Sequence, residues 1–309
     1  MCRLLGVVSR GALPLSEVVP GELPLFTALS ERHKDGWGVA SYPAGTGADG
    51  GDDPAPMLPL LRRGTDTALA SNDYGDAVAE ARGEVIVVHL RRASVGLALT
   101  PENTHPFVEG EMTFSHNGQF DLSDELRERI LARGGRTPLG TTDSELFLSL
   151  ITAWAGELPP REGQTDWALA IQHAAAELTA LTTELFGRPP ESLNCLLTTP
   201  GTLVAFAQHD PPQAPADQPA EVYDLRWRAD HDRVLVSSTG YPQAGFATLA
   251  QGAALTVHRG SLRVEENPPL DRWTRRTERP GAAPRVGPLD RVGPSGSDSS
   301  SARPPWEAP

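Results

Sequence analysis

Apolar positions recur along most of this chain in two rhythms. Alternating or continuous short apolar runs predict strands over 3–9, 36–42, 57–62, 85–90, 112–116, 193–199, 202–208, 221–228, 233–238, 253–258 and 262–265. A three-to-four spacing predicts helices over 23–31, 74–82, 121–132, 142–155 and 167–186, the last rich in alanine. Pro200-Gly201 separates two of the strands as a hairpin turn. Many short strands with most of the helices grouped in mid-chain do not suit a doubly wound parallel sheet. They predict an α+β fold of stacked antiparallel sheets covered by helical layers.

Three stretches break the rhythm. Residues 44–56 and 210–219 are rich in Gly, Asp and Pro and read as surface loops. From 268 to 309 the chain is Pro, Gly, Ser and Arg with few aliphatic residues. Such a composition buries too little apolar surface to offset its ordering entropy, which predicts a disordered tail. The expected division is one folded domain over 2–267 and the tail over 268–309.

Composition narrows the function. The chain has 309 residues, of which 39% are hydrophobic, enough for a sizeable core. Its net charge of -13 argues against binding nucleic acid, which requires neutralising phosphates. Two cysteines, Cys2 and Cys195, rule out a disulfide framework, and Cys195 lies within a predicted apolar strand. No apolar run reaches membrane-spanning length, and the first residues lack the features of a secretion signal. A cytoplasmic protein is expected. The eight histidines are scattered without metal-ligand spacing, and the Gly-rich stretch 45–51 is acidic and would repel phosphate. Neither a metal nor a cofactor is expected.

Four places could carry chemistry. Cys2 becomes the first residue if Met1 is removed, as small second residues generally permit. It then joins a thiol to an α-amino group that titrates near pH ~8, a nucleophile and a base on one carbon. Arg91 follows the buried strand 85–90, where its planar donor fork can hold a carboxylate; a surface ion pair is the plain alternative. Asn117-Gly118 follows the strand 112–116, as a hairpin turn or as an oxyanion hole built from the Asn117 amide and the Gly118 N–H. In that second case glycine also lets the backbone approach a substrate closely. Thr142-Asp143-Ser144-Glu145 precedes an apolar run and fits a capping box, with Asp143 either serving the helix dipole or binding an ammonium group. Together these residues describe a site for an α-amino acid with a distal amide. Arg91 takes its carboxylate and Asp143 its ammonium, Asn117 and Gly118 hold the amide oxygen, and Cys2 attacks the amide carbon.

In this order the residues resemble the class II (N-terminal nucleophile) glutamine amidotransferases. The resemblance rests on Met1-Cys2-Arg3-Leu4-Leu5-Gly6, His33-Lys34-Asp35-Gly36-Trp37-Gly38, Arg91-x-Ala93-Ser94-x-Gly96, Asn103-Thr104-His105-Pro106, His116-Asn117-Gly118 and Thr142-Asp143-Ser144-Glu145. It covers residues 2–266. It implies a four-layer αββα fold, Cys2 as nucleophile with its own amine as base, and Arg91 and Asp143 as glutamine ligands. It adds Ser94 as a hydroxyl that orients the carboxylate. His105 belongs to a His-Pro pair whose role is structural, and Trp37 is expected to pack near the site.

The compact His33–Gly38 form is similar to the free-standing group of the class, whose relatives include γ-glutamyl hydrolases of ergothioneine biosynthesis and glutathione breakdown. Arg92 departs from an aromatic residue found in some members, and Val95 from a histidine found in some synthases. The activity implied is hydrolysis of a γ-glutamyl amide through a Cys2 thioester. The substrate is glutamine, with ammonia passing to an ammonia-accepting enzyme as partner, or a larger γ-glutamyl compound whose amine is released. A catalytically silent scaffold on the same fold is the alternative of a different class.

Overall fold

The computed structural model describes residues 2–43, 56–94, 96–210 and 221–270. Most of both predicted loops and nearly all of the predicted tail, like Val95, lie outside the described residues. The chain runs through β1 (Arg3–Pro14), α1 (Leu15–Val18), α2 (Glu22–Ala28), β2 (Trp37–Tyr42), β3 (Leu60–Gly64), α3 (Asn72–Glu80) and β4 (Arg82–Leu90). It continues with β5 (Phe107–Glu109), β6 (Met112–Gln119), α4 (Asp124–Leu131), α5 (Asp143–Glu157) and α6 (Trp167–Phe186). Strands β7 (Ser192–Thr198), β8 (Thr202–Phe206), β9 (Leu225–Ala229), β10 (Arg233–Ser238), β11 (Ala247–Thr248), β12 (Ala254–His258) and β13 (Val264–Asn267) complete it.

The strands form two antiparallel sheets, ordered β11-β9-β10-β1-β4-β2-β3 and β13-β12-β8-β7-β6-β5. Side-chain alternation along each strand sorts the apolar residues into three cores. Leu4 and Val8 of β1 with Val85 and Val87 of β4 meet Leu196, Leu203 and Leu255 between the sheets. The opposite faces of the same strands, Leu5, Val7, Ile86 and Val88, pack under Phe26, Leu15 and Ala77 of the first three helices. Leu193, Cys195 and Leu197 of β7 pack under Leu146, Leu150, Ile171 and Leu178 of α5 and α6. The result is four layers, helix-sheet-sheet-helix, within the α+β class that the pattern predicts. Cys195 is a fully buried core residue, and burial pushes its thiol pKa up.

β1 is central in its sheet, paired with β4 on one side and β10 on the other. Where it crosses the second sheet it carries Gly6, at which a Cβ would lie 2.6 Å from Leu203 Cδ1 and 3.0 Å from Leu196 Cδ1. The absent side chain is what lets the two sheets meet there.

Several expectations shift. β6 continues through Asn117 and Gly118, which pair with Asn194 and Leu193 of β7. Asn117-Gly118 is therefore in-strand and not a turn. The strands β5 and β11 escape a reading by periodicity because they are three and two residues long.

Candidate active site

Cys2 stands at the head of β1 and is almost fully buried. Its Sγ lies 3.5 Å from the Arg92 N–H and 3.7 Å from the Arg92 carbonyl. Burial pushes the thiol pKa up, while the Arg92 backbone and the Arg91 charge pull it down. A small cleft opens here, lined by Cys2, Arg91, Ser94, Gly118 and Asp143 together with Arg92, Asn103, His105, His116 and Ser144. Five of the six residues singled out in the sequence thus share one cleft wall. The sixth, Asn117, precedes Gly118 on β6 and lies fully buried behind it. A larger open cavity between Arg161 and Glu265, at the far edge of the second sheet, contains none of them.

The segment His33–Gly38 shapes the Arg91 turn. Asp35 N donates to Arg91 O at 3.1 Å, Arg91 N donates to Gly36 O at 2.8 Å, and Ala93 N donates to Asp35 Oδ2 at 2.9 Å. Gly36 has φ +140 and its missing Cβ would lie 2.8 Å from Gly64 O, so only glycine fits this turn. Trp37 faces away from the cleft. It packs edge-on against Tyr74 in the outer core and donates to Asp66 Oδ1 at 2.8 Å.

Arg91 is buried. Its Nη2 donates to Ala98 O at 3.2 Å, and its Nη1 has no hydrogen-bond partner. Ser94 Oγ donates to Gln119 Oε1 at 3.1 Å on the rim.

Asp143 opens α5. Its Oδ2 accepts from Phe120 N at 3.2 Å and its Oδ1 from Ser144 N at 2.9 Å. Thr142 Oγ1 accepts from Glu145 N at 3.2 Å, which is half of the expected capping box. The return half is absent. The Glu145 carboxylate, fully buried, accepts instead from Arg136 Nη1, Leu139 N and Gly140 N at 2.8, 2.9 and 2.6 Å. It thereby fixes the loop that delivers Asp143, and Asn103 Oδ1 supports the same loop by accepting from Thr141 N at 3.0 Å.

Gly118 is needed for a reason other than substrate approach. A Cβ there would collide with the Ser192 carbonyl of the neighbouring strand. Asn117 Nδ2 donates to Ser238 Oγ at 3.3 Å, and that hydroxyl also accepts from Leu4 N at 3.1 Å. Asn117 Oδ1 is buried without a partner. Ser238 thus ties the amide of Asn117 to the strand that carries Cys2. No periodicity signals this, because the contact spans more than a hundred residues of chain.

His116 Nε2 reaches the Ser192 carbonyl at 3.1 Å and Nδ1 reaches Ser144 Oγ at 2.9 Å. A carbonyl can only accept, so Nε2 carries the proton and Ser144 donates to Nδ1. Burial lowers the pKa of His116, and those of His89 and His105 further, so these buried rings are neutral. Among the described residues no group of three or more His, Cys, Asp and Glu is placed to hold a metal ion, and no helix is long and apolar enough to cross a membrane.

Two antiparallel sheets between helical layers, with a thiol at the head of a central strand, define the N-terminal nucleophile amidotransferase fold. A class-II glutamine aminotransferase domain protein from Silicibacter pomeroyi superposes with a TM-score of 0.56, at 20% identity over 86% of this chain and 98% of that one. The glutamine phosphoribosylpyrophosphate amidotransferase of B. subtilis superposes with a TM-score of 0.55, at 14% identity over 86% of this chain and 49% of that one. The family model of class-II glutamine amidotransferases matches residues 1–273, and this chain belongs to that family.

Two curated relatives match its sequence. Escherichia coli YafJ is 32% identical over 158 residues, 47% of this chain and 51% of that protein. Methanocaldococcus jannaschii MJ1515 is 30% identical over 151 residues, 47% of this chain and 36% of that protein. The matched stretches therefore span about half or less of these relatives.

Proposed function

We propose that this protein hydrolyses a γ-glutamyl amide through a thioester on Cys2, acting in the cytoplasm after removal of Met1. The observation that carries the reading is a single cleft holding a thiol, a buried guanidinium with an unpartnered Nη1, and a buried carboxylate on the facing helix. Arg91 Nη1 takes the substrate α-carboxylate, Asp143 takes the α-ammonium, and Ser94 lies beside the carboxylate.

The freed α-amine of Cys2 accepts the thiol proton as sulfur attacks the amide carbon. The Gly118 N–H and an Asn117 Nδ2 proton stabilise the tetrahedral oxyanion. The amine returns its proton to the leaving nitrogen, the C–N bond breaks, and ammonia or an amine departs. Water, deprotonated by the same amine, then cleaves the thioester to give glutamate and the free thiol.

Intact-mass measurement of the N-terminus followed by labelling with a glutamine-mimicking diazoketone tests this. One adduct is expected at Cys2, abolished by Cys2→Ala and absent from Cys195. Retention of Met1, or equal labelling in the Cys2→Ala variant, overturns the reading. Glutaminase activity that rises only with a second enzyme would favour ammonia delivery to a partner. Turnover of γ-glutamyl peptides by the protein alone favours release of an amine.

A further inference from the structure

Behind Asn117 the two sheets enclose polar side chains that the chemistry at Cys2 does not use. The His116 ring turns to the helical side of its sheet, toward Ser144 and Phe147. Its neighbours Ser115 and Asn117 therefore face the first sheet, where Asn117 Nδ2 reaches Ser238 of β10. His89 of β4 comes from that sheet to meet β6, with Nε2 at 3.4 Å from the His116 carbonyl. The His105 ring stacks on His89 with 4.4 Å between centroids, and it also lines the cleft beside Cys2.

None of His89, His105, Ser115 and Asn117 is more than 4% exposed. Five of their polar atoms have no hydrogen-bond partner among the described residues: His89 Nδ1, both ring nitrogens of His105, Ser115 Oγ and Asn117 Oδ1. A carbonyl only accepts, so His89 Nε2 carries the proton of that neutral ring and Nδ1 is left as an acceptor. Asn117 Oδ1 is an acceptor too. His105 offers one donor and one acceptor, and Ser115 a hydroxyl that serves as either. Buried acceptors without donors are costly. A small molecule bringing two donors and two acceptors satisfies this set, and water is that molecule. Ser115 and Asn117 are two residues apart on one face of β6, about 7 Å between backbones, a gap that a bridging water spans.

The two ends of a carboxamide have nearly the same shape, so hydrogen bonds choose which way it faces. Ser238 Oγ does not make that choice. Having accepted from Leu4 N, it can take the Nδ2 end with its second lone pair or the Oδ1 end with its own proton. The second orientation turns the side-chain donor away from the oxyanion. We propose that an internal water, held by Ser115 and by the imidazoles of His89 and His105, donates to Asn117 Oδ1 and so keeps Nδ2 on the oxyanion side. Ser115, His89 and His105 are then positioning residues. This rests on the amidase reading above.

Neutron diffraction from deuterium-exchanged crystals of the Met1-free protein distinguishes nitrogen from oxygen and locates water. A water bonded to Ser115 Oγ and Asn117 Oδ1 is expected, with Nδ2 on Ser238. A dry cluster, or Oδ1 on Ser238 Oγ, overturns the inference. Ser115→Ala removes one holder of the water. In glutamate release from glutamine and γ-glutamyl-glycine its kcat should fall about tenfold or more with KM unchanged. Ser115→Thr, which restores the hydroxyl, should recover kcat. An unchanged kcat in Ser115→Ala, or an equal loss in Ser115→Thr, overturns the inference and leaves the amidase reading standing. If the wild-type protein releases no glutamate from either donor, the amidase reading fails, and the neutron density still decides the water and the amide.

Discussion

Asp143 and Arg91 line one cleft and are held in opposite ways. Both oxygens of Asp143 accept main-chain N–H bonds, from Phe120 and Ser144, and its loop is pinned by the buried Glu145 and by Asn103. Arg91 is oriented by one bond to Ala98 O and keeps Nη1 unused. Arg3, buried beside Cys2, also keeps Nε unused. The anionic end is complete before any ligand arrives, whereas the cationic end has donors that only a ligand satisfies. Buried donors without partners are costly, so this asymmetry stores affinity for carboxylates and leaves Asp143 as a fixed reference point.

Substitutions separate the two ends. Cys2→Ala leaves both in place and removes the chemistry: hydrolysis should fall by about 10⁴-fold or more in a glutamate-release assay, while calorimetry still detects substrate binding. Glu145→Ala dismantles the support of the anionic end. It removes the buried partner that Arg136 meets at 2.8 Å, leaving the guanidinium with Glu109 alone and Leu139 N and Gly140 N without their acceptor. The expected loss is about 3–5 kcal/mol of stability by denaturant unfolding. Arg91→Gln removes the open donor at the cationic end, and kcat/KM should fall by a factor corresponding to roughly 2–4 kcal/mol, chiefly through KM. Arg91→Lys should recover little, because an ammonium lacks the planar fork.

Smaller effects should come from the ties behind the cleft. Ser238→Ala deprives Leu4 N and Asn117 Nδ2 of their acceptor. About 1 kcal/mol of stability and up to about tenfold in kcat are expected to go with it. The gentlest probe is acid. Burial foremost lowers His89 to about 3 in the folded chain, against an ordinary value near ~6.5 in the unfolded one. Between these values the unfolded state binds more protons, so this contribution is whole above about pH 6.5 and is lost as pH falls toward 3. The melting temperature should decline over that window, and His89→Gln should flatten the decline.

The sequence made these ends legible to different degrees. Strands β1 and β4 announce themselves by alternation and by a continuous apolar run, because both faces are buried. Cys2, Arg91 and Asp143 were found because they adjoin such elements at strand ends or a helix start. Asn117-Gly118 permits a turn as readily as a strand, and only pairing with β7 decides it. Glu145 carries the spacing of a cap, yet its carboxylate turns to Arg136 and the loop before it, a tertiary choice invisible to local spacing. Ser238 and the buried histidines act through contacts between distant strands, which periodicity does not show.

Gly6 gives the first strand a mechanical meaning. It sits where the two sheets press together, four residues from the sulfur, a lever arm of about 13 Å at the usual rise per residue. A side chain wedged there would pivot the strand, and a tilt of only about 5° would swing its tip by roughly 1 Å. Displacements of that size cost on the order of a hundredfold in rate at a reacting centre. A hydrogen atom on the sixth residue is thus part of how the second one is aimed.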